Sequence, residues 1–185
     1  MWNNMGTSQH HDRPSGMVQR NCPAELPSAT AQRNGPAGDG YDLPMNGHIA
    51  RAEVEIAAAP QQVWDALTDP AAVKKYMFGA DVDTTWEVGS PITWSGEHEG
   101  TAYQDKGEVL DFDPPSRLSV SHYSPMGGKP DVPANYHRLE YTVAETGDGS
   151  TVTLEQDGND SEEQAERFAQ NWQMSLEQLK QHIEG

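Results

Sequence analysis

Residues 161–185 read SEEQAERFAQNWQMSLEQLKQHIEG, and the architecture turns on this stretch. Phe168, Trp172, Leu176, Leu179 and Ile183 recur at intervals of three and four, one stripe on a helix of 3.6 residues per turn. Ser161 and Gln164 have capping-box spacing. Glu162, Glu163 and Glu166 complement the positive end of the helix dipole, and Lys180 and His182 the negative end. The spacing predicts one helix over about 161–183. A terminal helix with a single apolar stripe must bury it against another layer.

That layer lies upstream. In 49–57, IARAEVEIA, the small and apolar Ala52, Val54 and Ile56 alternate with charged Arg51, Glu53 and Glu55, the mark of a half-buried strand. Pro60 is pre-organised for a first helical position, and Val63, Trp64 and Leu67 give that helix its apolar face. Pro70 ends it, and Asp69 caps a second short helix reaching about Tyr76. Short strands follow: one carrying Ile92 and Trp94, a long one over 101–112, and one carrying Leu118, Val120 and His122. After a Pro- and Gly-rich loop at 124–133, strands carrying Leu139, Tyr141 and Val143, then Val152 and Leu154, form a hairpin about Gly147-Asp148-Gly149. The expected fold is α+β: a curved antiparallel sheet of about six to seven strands around the long terminal helix, with two short helices after the first strand.

Composition limits what such a chain can do. Its 185 residues carry 12 Lys and Arg against 29 Asp and Glu, a formal charge of −17. That argues against nucleic acid and anionic membrane surfaces as partners, since both need basic side chains. One cysteine, Cys22, permits no internal disulfide and no thiolate-rich metal site. No apolar run approaches the ~20 residues of a membrane span, and the first residues lack a signal peptide, so a cytoplasmic location is expected. Residues 1–48 are polar and rich in Pro and Gly, without helical or strand periodicity. They are read as a disordered N-terminal extension, with the folded domain at 49–185. An alternative start at Met45 would remove most of this segment. Its own charge is −1, so −16 belongs to the domain. Cys22, His10 and His11 fall in the extension and are set aside as chemistry.

Several local patterns then occur in a familiar order. They are Ala59-Pro60-Gln61-Gln62-Val63-Trp64-Asp65-Ala66-Leu67-Thr68-Asp69-Pro70, Trp86-Glu87-Val88-Gly89-Ser90-Pro91-Ile92, and Gly107-Glu108-Val109-Leu110 with Asp113-Pro114-Pro115-Ser116-Arg117-Leu118. Thr151-Val152-Thr153-Leu154 and the ending from Asn171-Trp172 to Gly185 complete the set. Together they resemble the START-like, or SRPBCC, helix-grip superfamily, in particular the branch named for the C-terminal domain of the activator of the heat-shock-protein-90 ATPase. The resemblance spans about 49–185. It implies a cavity between sheet and helix, and relatives that include hydrophobic-ligand carriers, aromatic cyclases and chaperone activators. The eukaryotic chaperone activators carry a separate N-terminal domain, and residues 1–48 are too few and too polar to be one. Fold alone does not license function.

Strand alternation turns Trp94, Tyr103, His122 and Tyr141 inward, the helix stripe adds Trp172, and Phe78 falls at the expected mouth. These six are the candidate pocket, suited to a small apolar or aromatic ligand. Filling the core is the competing role for each ring. His122 is the speculative catalytic residue, an acid/base beside a Tyr phenol, as a cyclase or dehydratase would need. His98 and His137 rank below it, being nearer loops. The carboxylate pairs Asp81/Asp83 and Asp111/Asp113 are read as solvated strand ends. The run from Asp157 to Phe168 fails as a calcium loop at its sixth and twelfth positions, and no P-loop, G-x-S-x-G or H-E-x-x-H motif occurs. No cofactor and no metal are called for. Ligand binding ranks ahead of catalysis, with chaperone regulation a third reading.

Overall fold

The computed structural model describes residues 45–185; the expected disorder of the extension, with Cys22, His10 and His11, lies almost wholly outside the described residues. The elements are β1 (His48–Ile56), α1 (Pro60–Thr68), α2 (Pro70–Tyr76), β2 (Asp81–Asp83), β3 (Pro91–His98), β4 (Thr101–Asp113), β5 (Arg117–His122), β6 (His137–Thr146), β7 (Gly149–Asn159) and α3 (Glu162–Glu184). The seven strands form one antiparallel sheet in the order β1-β7-β6-β5-β4-β3-β2. The fold is α+β and helix-grip, as the terminal stripe requires. The 124–133 loop contains a 3-10 turn at Pro125–Gly127, and a second follows at Pro133–Asn135.

Local chemistry sets the helix ends. The Gln62 side chain accepts from the Ala59 N–H at the start of α1 (3.2 Å), and Asp69 accepts from the Ala72 N–H at the start of α2 (3.0 Å). At α3, Ser161 Oγ accepts from the Gln164 N–H (3.2 Å), while Gln164 Oε1 reaches back to the Asp160 N–H (2.6 Å). The reciprocal half of the box thus lands one residue before the cap.

α3 lies against β1, β7 and α2. Leu176 and Leu179 are fully buried, each worth about 2 kcal/mol of apolar burial. Ser175 Oγ donates to the Tyr76 carbonyl (2.9 Å), fixing α3 to α2, and Tyr76 Oη donates to the Leu67 carbonyl (2.9 Å), fixing α2 to α1. On the inner face of the sheet, Val109, Leu118, Val120, Leu139, Tyr141, Val143, Val152 and Leu154 make the core. A shift in the β4–β5 register between Val109 and Asp111 changes the phase of β4. Val109 and Phe112 both belong to the core side, where strict alternation would have separated them. Phe112 packs on Trp64 (5.3 Å between centroids) and stacks on Trp86 (6.0 Å).

Candidate functional site

The inner face of the sheet changes character along its strands. One end is apolar; at the other, the inward positions are Tyr103 and Asp105 on β4, His122 on β5, His137 on β6 and Gln156 on β7. Polar groups of this kind resist close packing against a helix, and a cavity of about 600 Å³ stands there, beneath the first half of α3. Trp94 from β3 and Phe168 and Trp172 from α3 supply aromatic wall. Phe78, Met126 and Met174, which are 57%, 51% and 49% exposed, stand on its solvent side.

Five of the six expected residues border this space: Phe78, Trp94, Tyr103, His122 and Trp172. Tyr141 does not. It pairs with Leu118 and Leu154, whereas the cavity sits at the level where His122 pairs with His137. Four residues of strand, about 13 Å, separate the two levels. Tyr141 is buried among core side chains instead, and burial pushes its phenol well above the ordinary range. It therefore cannot partner His122 in proton transfer. His98 and His137 border the cavity too.

Sequence reasoning passed over Asp105 and Gln156. Trp94 stands opposite Asp105 across the β3–β4 ladder and meets the His122 ring edge-on, 5.3 Å between centroids at 65°. The His122 Nε2–H donates to Asp105 Oδ2 (3.2 Å); a carboxylate only accepts, so the proton is on Nε2. Asp105 Oδ1 is buried and has no hydrogen-bond partner. Gln156 Oε1 accepts from Trp172 Nε1–H (2.7 Å), and Gln156 Nε2 donates to Asn159 Oδ1 (3.2 Å), so the aromatic wall of α3 is set by a buried amide on β7. The signal for both residues was their parity: Asp105 shares a face with Tyr103, and Gln156 with Val152 and Leu154. Burial and the charge of Asp105 raise the Tyr103 phenol, which stays protonated. Of the carboxylate pairs singled out, one member of each meets a cation, Asp81 with Lys74 (2.7 Å) and Asp111 with Arg117 (3.2 Å), and Asp113 accepts from Ser116 Oγ (3.0 Å). Among the described residues no group of three or more His, Cys, Asp or Glu side chains could hold a metal ion, and no helix is long and apolar enough to cross a membrane.

The 124–135 segment forms one lip of the cavity and is held by charge. Lys106 and Tyr136 both bond Asp131, Tyr136 stacks on Tyr123 (5.2 Å), and Lys129 pairs with Asp160 (2.6 Å). Lys106 holds the Asp131 carboxyl below its ordinary 3.8, and Lys129 does the same for Asp160. A lowered folded-state value means these anchors are complete above the ordinary value and fail as pH falls through the folded one. Amide protection factors over this lip, corrected for the intrinsic slowing of exchange in acid, should therefore fall below about pH 4, ahead of those in β6 and β7; simultaneous loss of protection would contradict the anchoring.

Phe78 holds a left-handed backbone (φ 53°) while more than half exposed, a conformation that costs a β-carbon residue about 1–2 kcal/mol. Phe78→Gly should thus leave stability within about 1 kcal/mol, relief of strain offsetting the added chain entropy. Its effect should appear at the cavity mouth, as weaker binding of apolar probes. A large fall in melting temperature would show that Phe78 serves packing.

An open antiparallel sheet closed by a terminal helix, with an apolar-walled cavity between them, defines a helix-grip protein. The chain belongs to the activator of Hsp90 ATPase homolog 1-like family, whose model matches residues 57–184. A Cytophaga hutchinsonii protein solved in solution is 42% identical, with TM-score 0.66, over 77% of this chain and 97% of that one. CalU16 from Micromonospora echinospora is 26% identical (TM-score 0.54; 73% and 74% covered). The Aha1 dimer from Colwellia psychrerythraea is 18% identical (TM-score 0.58; 75% and 97% covered) and is a likeness of fold. No curated protein matches.

Proposed function

We propose that this chain binds a small, largely apolar ligand between α3 and the sheet. The observation that carries the reading is the cavity itself. Its volume of about 600 Å³ is within the ordinary range for ligand sites, and Trp94, Phe168 and Trp172 stand around it. Native mass spectrometry of freshly purified protein should find a bound small molecule, and a fluorescent apolar probe should bind saturably. Asn171→Trp, an exposed change on the α3 side of the cavity, should abolish probe binding without lowering stability. Saturable binding unaffected by that variant would place the probe elsewhere.

Catalysis on the same cavity is the second reading, and the Asp105 hold on His122 favours it, since an oriented imidazole is what acid/base work needs. With a substrate in hand, His122→Ala should cost at least about 100-fold in turnover; unchanged turnover would remove it. The family is also named for activation of the Hsp90 ATPase. That role predicts faster ATP hydrolysis by the chaperone when this chain is added, and an unchanged rate would exclude it.

A further inference from the structure

We propose that the ligand carries a protonated amine, received at the Asp105 end of the cavity. The inference rests on the binding reading above and specifies its ligand.

The polar groups of the cavity wall are unbalanced. At the sheet end of the cavity the donors are spent within the protein: Trp172 Nε1–H on Gln156, Gln156 Nε2–H on Asn159, and the Tyr123 hydroxyl on the Lys129 carbonyl (2.8 Å); the Gln164 and Asn171 amides and the Ser124 hydroxyl line its α3 and lip sides. Lys129, the one Lys or Arg among the described lining residues, is paired with Asp160. Acceptors remain. Asp105, whose side chain is 16% exposed, uses Oδ2 on His122; Oδ1 is unpartnered and sealed, and a turn of the carboxylate brings it to a ligand. His137 Nδ1 lies 2.7 Å from the Asp157 carbonyl, which only accepts, so Nδ1 carries the proton and Nε2 of the neutral ring is an acceptor. His122, protonated on Nε2, likewise presents Nδ1 as an acceptor when neutral. Glu97 adds a second carboxylate, and Tyr103 a hydroxyl that can act either way.

A buried carboxylate oxygen without a donor is costly, and a charged donor relieves that cost more than a neutral one. An ammonium also gains from the indole faces of Trp94 and Trp172. A carboxylate ligand would face Asp105 and Glu97 with the Lys129 charge already engaged. The acceptor-rich wall therefore favours a cation, and the aromatic wall favours an apolar body attached to it.

The test is a matched series titrated by calorimetry at pH 7: 1-naphthaleneethylamine, 1-naphthaleneethanol and 1-naphthaleneacetate. The amine should bind at least about 10-fold more tightly than the alcohol, and the acetate most weakly. In Asp105→Asn, shown to be folded by its circular dichroism, the preference for amine over alcohol should collapse while alcohol binding persists. Alcohol or acetate binding as tightly as the amine would overturn the amine assignment and leave ligand binding standing. Retention of the amine preference in Asp105→Asn would likewise overturn the role of Asp105. Failure of all three probes to bind would remove both proposals together.

Discussion

Gly107→Ala should lower the stability of the domain by about 3 kcal/mol or more, the most damaging single-methyl change in the sheet. A Cβ built on Gly107 lies 1.7 Å from the Ser121 carbonyl oxygen and 2.6 Å from its carbon. Neither is the free end of a side chain, so the clash can be relieved only by moving β4 away from β5. The same neighbourhood holds the Lys106–Tyr123 backbone pair (3.0 and 2.8 Å), and next to it the Asp105–His122 contact. The expected signature is double: a lower denaturation midpoint, and loss of probe binding out of proportion to the unfolded fraction. Gly89→Ala is the control. That glycine has a positive φ of 85° but nothing within 4 Å of the added carbon, so its cost should stay near the left-handed penalty of about 1–2 kcal/mol. Equal effects at the two positions would show that strand separation is not the cause.

Gln156→Leu should cost about 3 kcal/mol although it puts an apolar side chain in a buried place. Leucine has nearly the volume of glutamine, so packing changes little. The loss comes from two groups left without partners, Trp172 Nε1–H and Asn159 Oδ1. Each unsatisfied buried group costs about 1–3 kcal/mol. Asn159 also donates to the His48 carbonyl (2.8 Å), so the damage should spread to the β1 edge of the sheet. A double-mutant cycle isolates the contact. Trp172→Phe removes the donor, and the pair of changes together should be milder than the sum of the two by about 1 kcal/mol or more. Additive effects would mean that Gln156 does not hold the α3 wall in solution.

The strands were legible because period-2 alternation exposes a face. Ala52, Val54 and Ile56, Leu118 and Val120, and Leu139 to Val143 all turn the way their pattern indicates. Alternation carries no information about depth along the strand, however. Tyr141 and His122 have equal claims on the inner face, and only the β5–β6 register, with Leu118 opposite Tyr141 and His122 opposite His137, separates core from cavity. The β4 register shift is similarly invisible: nothing in Val109-Leu110-Asp111-Phe112 announces that the phase changes there. Asp105 was hidden by its type, since among 29 acidic residues one more carboxylate on a strand carries no signal until its neighbours are known.

The sequence by itself determined the layers of this protein. Apolar spacing of 3.6 and 2, with Pro and Gly punctuation, dictates which segments are helices and strands and which side of each must be hidden from water. Those are local consequences of backbone geometry and hydrophobicity. Where the hidden sides fail to meet was decided only in the tertiary structure. The cavity exists because Asp105, His122, His137 and Gln156, distant in the chain, come to one level of the sheet. Their partners, His122 for Asp105 and Trp172 for Gln156, are fixed by register and by the crossing of α3, which no segment carries alone.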